Sequence, residues 1–197
     1  MLVEHIIGAF MFRREVYAEV ERDTSFTTTA WILVAVVSFL SQLGSFAGHV
    51  SGDLAGGLLN WIISTVVGTI FAVIGFAVGA FVINAVGRAL FNAEVTFEEM
   101  VRTTGLAYVW NIVGIIGLVA IISDALACVL SPLGCIVPLL GLASMLIAVK
   151  EALDLDWGQT IITVIIGWIV QFIIGLATTL VLGLMGITAG AAMGLFG

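Results

Sequence analysis

Charge is what this chain has least of. Of its 197 residues, 10% are charged and 61% hydrophobic, where an ordinary soluble domain carries about 25% charge. So little charge cannot cover the surface of a water-soluble fold, which leaves a membrane protein as the class. Basic residues are scarcer still. Six Lys and Arg lie dispersed in a chain of net charge −7, which gives no footing for nucleic-acid binding. Histidine occurs twice, at His5 and His49, whereas a zinc site needs three or four ligands. No metal centre is expected, and His49 with Asp53, at i, i+4 in a glycine-rich loop, reads as a solvated pair. There is no P-loop, no GxGxxG in a strand–helix setting, no GxSxG and no CxxC, so neither a catalytic set nor a cofactor is expected. No stretch resembles a linker, so residues 1–197 read as one membrane domain. No cationic n-region precedes the first apolar residues, so the N-terminus does not read as a signal peptide.

What the chain does have is long apolar runs. Five of them, near 28–46, 58–86, 105–122, 135–149 and 160–185, approach or exceed the length of about 20 residues that a membrane span needs. The second is over-long and is expected to tilt or bend. Gly68-xxx-Ala72 and Gly75-xxx-Gly79 within it let backbones approach closely. Residues 1–27 form a different kind of segment. Leu2, Val3, Ile6, Ile7, Phe10, Tyr17 and Val20 share one face at the helical period, which predicts a single amphipathic helix over 2–22. Phe12 falls on its polar side and Glu21 near its apolar one. This helix either lies in the bilayer interface or packs on the protein's own loops. The fold class is therefore all-α: an integral membrane bundle of five transmembrane helices preceded by an N-terminal amphipathic interfacial helix.

All six cations fall on one side of that arrangement. Arg13, Arg14 and Arg22 precede span one, Arg88 and Arg102 lie between spans two and three, and Lys150 lies between four and five. The positive-inside rule then places the N-terminus in the cytoplasm and the C-terminus outside. No charge falls within a span core, which argues against a proton-coupled pump. The polar candidates in or near spans are Gln42, Asn84, Asn111 and Gln171. Such amides are most often interhelical glue. Ser38, Ser41 and Gln42 form one polar stripe turned toward other helices.

The longest polar interruption is the elbow between spans two and three. Thr96 and Glu99 fit a capping box that starts a helix near Phe97. Arg88, Thr96, Glu98, Glu99 and Arg102 are the candidate surface for a protein partner. On the opposite side Cys128 and Cys135 flank a turn over 123–134. They are either a disulfide stapling spans three and four, which an oxidising compartment permits, or small buried residues.

The stretches VEHIIGAFMFRREVYAEVERDTSFTTTAW, GRALFNAEVTFEEMVRTTGLAY and VKEALDLDWGQTIITVIIGW resemble the Yip1-type membrane proteins in a short prokaryotic version. Asn92-Ala93 stands where that family usually has glycines, and Trp110 where a proline often opens span three. The resemblance implies five spans with a cytosolic N-terminus, in agreement with the charge count. Eukaryotic relatives are linked to Rab-type GTPases and vesicle traffic through a long cytosolic N-terminal segment. Here about 27 residues precede span one, so that role is not carried over. The expected function is that of a non-enzymatic scaffold or accessory in a prokaryotic plasma (inner) membrane, holding a protein partner or a second copy, or shaping the bilayer. The alternative is a passive channel or carrier for a small solute or lipid.

Overall fold

The computed structural model describes residues 2–47, 54–130 and 132–184, with side chains for all of these but 54–56, 120, 124, 127 and 135. The elements are α1 (Leu2–Phe10), α2 (Arg14–Arg22), α3 (Phe26–Ser45), α4 (Leu54–Phe91), α5 (Phe97–Ala107), a 3₁₀ segment (Tyr108–Ile121), α6 (Asp124–Leu130), α7 (Leu133–Leu153) and α8 (Trp157–Leu184). Among the described residues, five helical stretches are long and apolar enough to cross a membrane: Phe26–Ser45, Gly57–Phe91, Phe97–Val119, Ile136–Leu153 and Trp157–Leu184. They match the five expected spans in number and order, with ends shifted by one to five residues except at the start of span three, which lies eight residues earlier. His49 and Asp53 lie outside the described residues, as does the tail beyond 184.

The spans close a ring. α3 packs on the 3₁₀ segment and on α4, α4 runs along α8, and α7 bridges the 3₁₀ segment and α8. The outward faces carry large exposed apolar side chains, such as Ile32, Val36 and Phe39 on α3, and Ile165, Ile169 and Phe172 on α8. A belt of this kind belongs in lipid. Lipid tails are as apolar as the core, so helix association rests on close packing and interhelical hydrogen bonds. Both are visible. Trp61 Nε1 of α4 donates to the Leu43 carbonyl of α3 at 2.9 Å, and Tyr17 of α2 meets Ser144 of α7 at 2.6 Å.

Local chemistry sets the helix ends. Asp23 Oδ1 accepts from the backbone N–H and hydroxyl of Ser25, which turns the chain into α3. The expected capping box is formed: Glu99 N–H donates to Thr96 Oγ1 and Thr96 N–H to Glu99 Oε2. At α8, Asp156 N–H donates to Gln159 Oε1. α4 runs unbroken for 38 residues, about 57 Å at 1.5 Å per residue, well beyond a hydrocarbon core of about 30 Å.

Four expectations need correction. The N-terminal segment is two helices, α1 and α2, broken at Phe12, whose φ of 56° is left-handed. Phe12 stacks on Trp110 with ring centroids 5.3 Å apart, and Gly8 lets α1 press against Val16 of α2. Its residence is also divided. Val16, Tyr17 and Val20 are buried, with α2 against α5 and α7, whereas Leu2, Val3 and Ile7 of α1 and Met11 just after it are exposed. Span three begins earlier, at Phe97, and is no plain α-helix: from Tyr108 it winds as 3₁₀ for 14 residues. The turn over 123–134 holds a short helix, α6.

The 3₁₀ winding has a packing cause. Three residues per turn bring i and i+3 onto one face, which aligns Tyr108, Asn111, Gly114 and Gly117. Tyr108 faces Ser38, whose hydroxyl donates to its phenolic oxygen at 3.2 Å. A Cβ on Gly114 would run into Ser41 Oγ, one on Gly117 would sit 2.5 Å from the Gly44 carbonyl oxygen, and one on Gly44 would strike the Gly114 carbonyl. The two backbones touch along this seam. The tighter, more drawn-out winding also lets 14 residues extend about 28 Å instead of about 21 Å.

Candidate functional site

Two places gather the polar residues of this chain. The first is the elbow at the basic end of the bundle. Asn92, at φ 56°, ends α4 in the left-handed conformation, and the Ala93 N–H closes on the Gly87 carbonyl at 3.2 Å. Asn84 Nδ2 donates to the Val95 carbonyl at 3.2 Å and ties the elbow strip back to α4. With the capping box, these bonds hold an open depression of about 640 Å³, lined by Arg88, Glu94, Thr96, Phe97, Glu98 and Glu99 among others. Arg88, Glu94 and Glu98 are exposed. Three carboxylates face one guanidinium, so the depression is acidic on balance.

Arg102 is not part of that surface. It is 4% exposed. Its Nε donates to the Glu21 carbonyl at 2.9 Å and its Nη1 to Thr27 Oγ1 at 3.2 Å, while Nη2 donates to the same Glu21 carbonyl. Glu99 Oε1 lies 3.9 Å from Nη2. The guanidinium fork fits this set of acceptors and binds the end of α2 and the start of α3 to α5. Burial pushes the Glu21 carboxyl above its ordinary value, and the Asp154 and Glu99 carboxylates add to the shift, opposed by Arg22 and Arg102. Burial likewise raises the Tyr17 phenol to about 12, against the hydrogen bond to Ser144.

The second place is a cavity of about 150 Å³ between α3, α4, the 3₁₀ segment and α8. Gln42, Asn111 and Gln171 all line it, joined by Ser41, Tyr108 and Thr178. Three of the four span amides thus converge, and Asn84 is the exception because its amide is spent on Val95. The small residues of α4 make the room. A Cβ on Gly68 would lie 2.9 Å from Gln42 Oε1 and one on Gly75 would lie 2.8 Å from Gln171 Nε2. The small-xxx-small pairs therefore receive glutamine side chains from α3 and α8, not a neighbouring backbone. Asn111 Nδ2 turns back to the Tyr108 carbonyl of its own segment at 3.1 Å. Gln42 Oε1 is buried with no hydrogen-bond partner among the described residues.

The family model for the Yip1 domain matches residues 7–179. The chain belongs to the Yip1 family. Neither the curated proteins nor the solved structures contain a match to it. The region matched to the Yip1 domain runs from α1 into α8 and takes in both the elbow and the cavity. The departures from the usual Yip1 pattern have local explanations. Asn92 supplies the left-handed residue that glycine commonly provides at a helix end, and asparagine is the side chain that best tolerates it. Trp110 carries no proline kink, and the span changes its winding two residues earlier, at Tyr108. On the far side Cys128 is exposed and the Cys135 side chain lies outside the described residues, so the disulfide expectation falls outside them too.

Sequence reasoning missed Thr178 at the cavity and the Gly114–Gly117 seam. The seam has a signal in the sequence: Asn111, Gly114, Gly117 and Ala120 recur every third residue, a 3₁₀ period. Thr178 has none, because it is one of four threonines in a 28-residue apolar helix and none of them shows a direction until α8 is placed.

Proposed function

We propose that this Yip1-family protein is a non-enzymatic scaffold or accessory of a prokaryotic plasma membrane, with α1, α2 and the elbow on the cytoplasmic side. The single observation that carries the reading is the elbow depression. It is held by the capping box and the Asn84 tie, and it offers the exposed Glu94 and Glu98 carboxylates as the charge most open to a partner. Its chemistry suits a basic segment of a cytoplasmic-side protein or of a second copy. The orientation is supported by the cations: the elements that carry them meet at one end of the bundle, with Arg102 at Glu21, Arg14 near Glu151, and Arg14 and Lys150 over Trp157. The exposed Leu2, Val3 and Ile7 of α1, with Met11 just after it, suit insertion at that interface.

A photocrosslinking residue in place of Glu98 tests this in living cells. The expected result is one discrete adduct of stoichiometric yield that disappears when Glu94 is changed to Lys. No adduct, or an adduct indifferent to Glu94→Lys, would overturn it. A second reading, a passive carrier for a small solute, is favoured by the three amides that meet in the intramembrane cavity. It predicts solute-dependent swelling of proteoliposomes above that of protein-free vesicles.

A further inference from the structure

We infer that the cavity between α3, α4, the 3₁₀ segment and α8 is a binding site for one small uncharged molecule rich in hydroxyl or amide groups. The inference deepens the carrier reading by naming what the cavity would hold, and it stands even where the molecule is bound and not carried across.

The lining excludes most other guests. The side chains that line it are serines, threonine, tyrosine and amides together with glycine and apolar residues, and none is ionisable near neutral pH. An ion brought there would leave water without a countercharge, which is costly in a bilayer interior. A purely apolar guest would leave the hydroxyls and amides unpaired, each at a cost of its own. A molecule that both donates and accepts meets neither penalty, because every polar group on the wall except the backbone carbonyls can do both.

The wall also has hydrogen-bonding capacity that the fold leaves unspent. Gln42 Oε1 is closed in against Gly68 with no partner among the described residues, so a turn of its amide toward the cavity gains a bond to a guest at the loss of none. Gln171 is accommodated at Gly75 in the same way. Two glycines about two turns apart on α4 thus hold two glutamines in a membrane interior, an arrangement that helix packing alone does not require, since Ala or Leu would fill the same faces. The size sets the guest. A cavity of about 150 Å³ is of the size that takes up benzene, a molecule of six heavy atoms. A three-carbon polyol such as glycerol and an amide such as urea are of this size.

The test uses the full chain in lipid nanodiscs, with glycerol and urea as neutral probes and guanidinium and acetate as charged ones of similar size. Binding is read by saturation-transfer NMR against empty nanodiscs. The expected result is transfer to glycerol or urea and none to either ion. Gln42→Met keeps the side-chain length and removes the unpartnered carbonyl. It is expected to weaken the neutral probe roughly tenfold without lowering the melting temperature. Gly68→Leu, which fills the space, should abolish binding. Should that variant fail to fold, Thr178→Leu serves as a second filling substitution. Transfer to the ions equal to that of the neutral probes, no transfer to any probe, or binding indifferent to Gln42→Met would each overturn the inference. The carrier reading fails separately: neutral-probe binding with no probe-dependent vesicle swelling keeps the site and removes transport.

Discussion

Arg102 shows how far a residue's role depends on what surrounds it. In the sequence it sits among Glu98, Glu99 and Thr103 and reads as surface charge. In the structure it is buried and gives its fork to a backbone carbonyl and a hydroxyl. Replacing it with Leu leaves the Glu21 carbonyl unpaired, a cost of about 1–3 kcal/mol, seen as a lower melting temperature in detergent. Arg102→Lys should rescue little, because a single ammonium cannot match the fork. An Arg102→Leu protein as stable as the parent would refute the clamp. Glu21 carries a pH consequence. Its carboxyl is raised in the fold, so the folded state holds the proton more tightly than the unfolded chain. That contribution is fully present below the ordinary carboxylate value of 4.5 and is lost as pH rises through the folded value. Protection of the α2 amides, with the intrinsic pH dependence of exchange divided out, should therefore rise as pH falls from 7 toward 4.5, and Glu21→Gln should remove that rise. A Glu21→Gln protein that keeps the full pH response would show that another group carries it. Glu21 and Phe12 were the two misfits in the amphipathic pattern of the N-terminal segment. Both mark tertiary contacts, Glu21 through a half-buried carboxyl set near Asp154 and Glu99 and Phe12 through Trp110.

At the scale of elements, the seam between α3 and the 3₁₀ segment is the least forgiving contact. Gly44→Ala would drive a methyl into the Gly114 backbone, and backbone cannot rotate away as a side chain can. Overpacking of this kind costs about 1–3 kcal/mol. Gly175→Ala is the matched control, since nothing lies within 4 Å of a Cβ there, and Ala in a helix interior gains about 1 kcal/mol over Gly. Opposite shifts in melting temperature are expected. A neutral Gly44→Ala would mean that the two backbones do not touch. The capping box is smaller in scale: Thr96→Ala should cost about 0.5–2 kcal/mol and loosen the elbow, seen as faster exchange at the first amides of α5. The capping box was legible because T-x-x-E is a rule over four residues. The change of winding at Tyr108 was not read, because hydropathy reports that a segment is apolar and says nothing of its pitch.

For the whole molecule, the five-span arrangement makes a test of sidedness. In a background with Cys128 and Cys135 replaced by Ala, single cysteines at Glu94 and at Asp156 should label from one side of the membrane and a cysteine at Ser123 from the other. Labelling of the first two from opposite sides would break the topology. Span number, their order, the gathering of cations at one end and the helix starts at the elbow were all determined by the sequence alone, because each follows from local hydropathy, charge and capping over a few residues to a few turns. Tertiary structure alone decided that Arg102 is buried, that Gln42, Asn111 and Gln171 share one cavity while Asn84 does not, and that α4's glycines receive glutamines. Those facts depend on the rotation and register of helices far apart in sequence, set by the close fit of small residues, which no single helix encodes by itself.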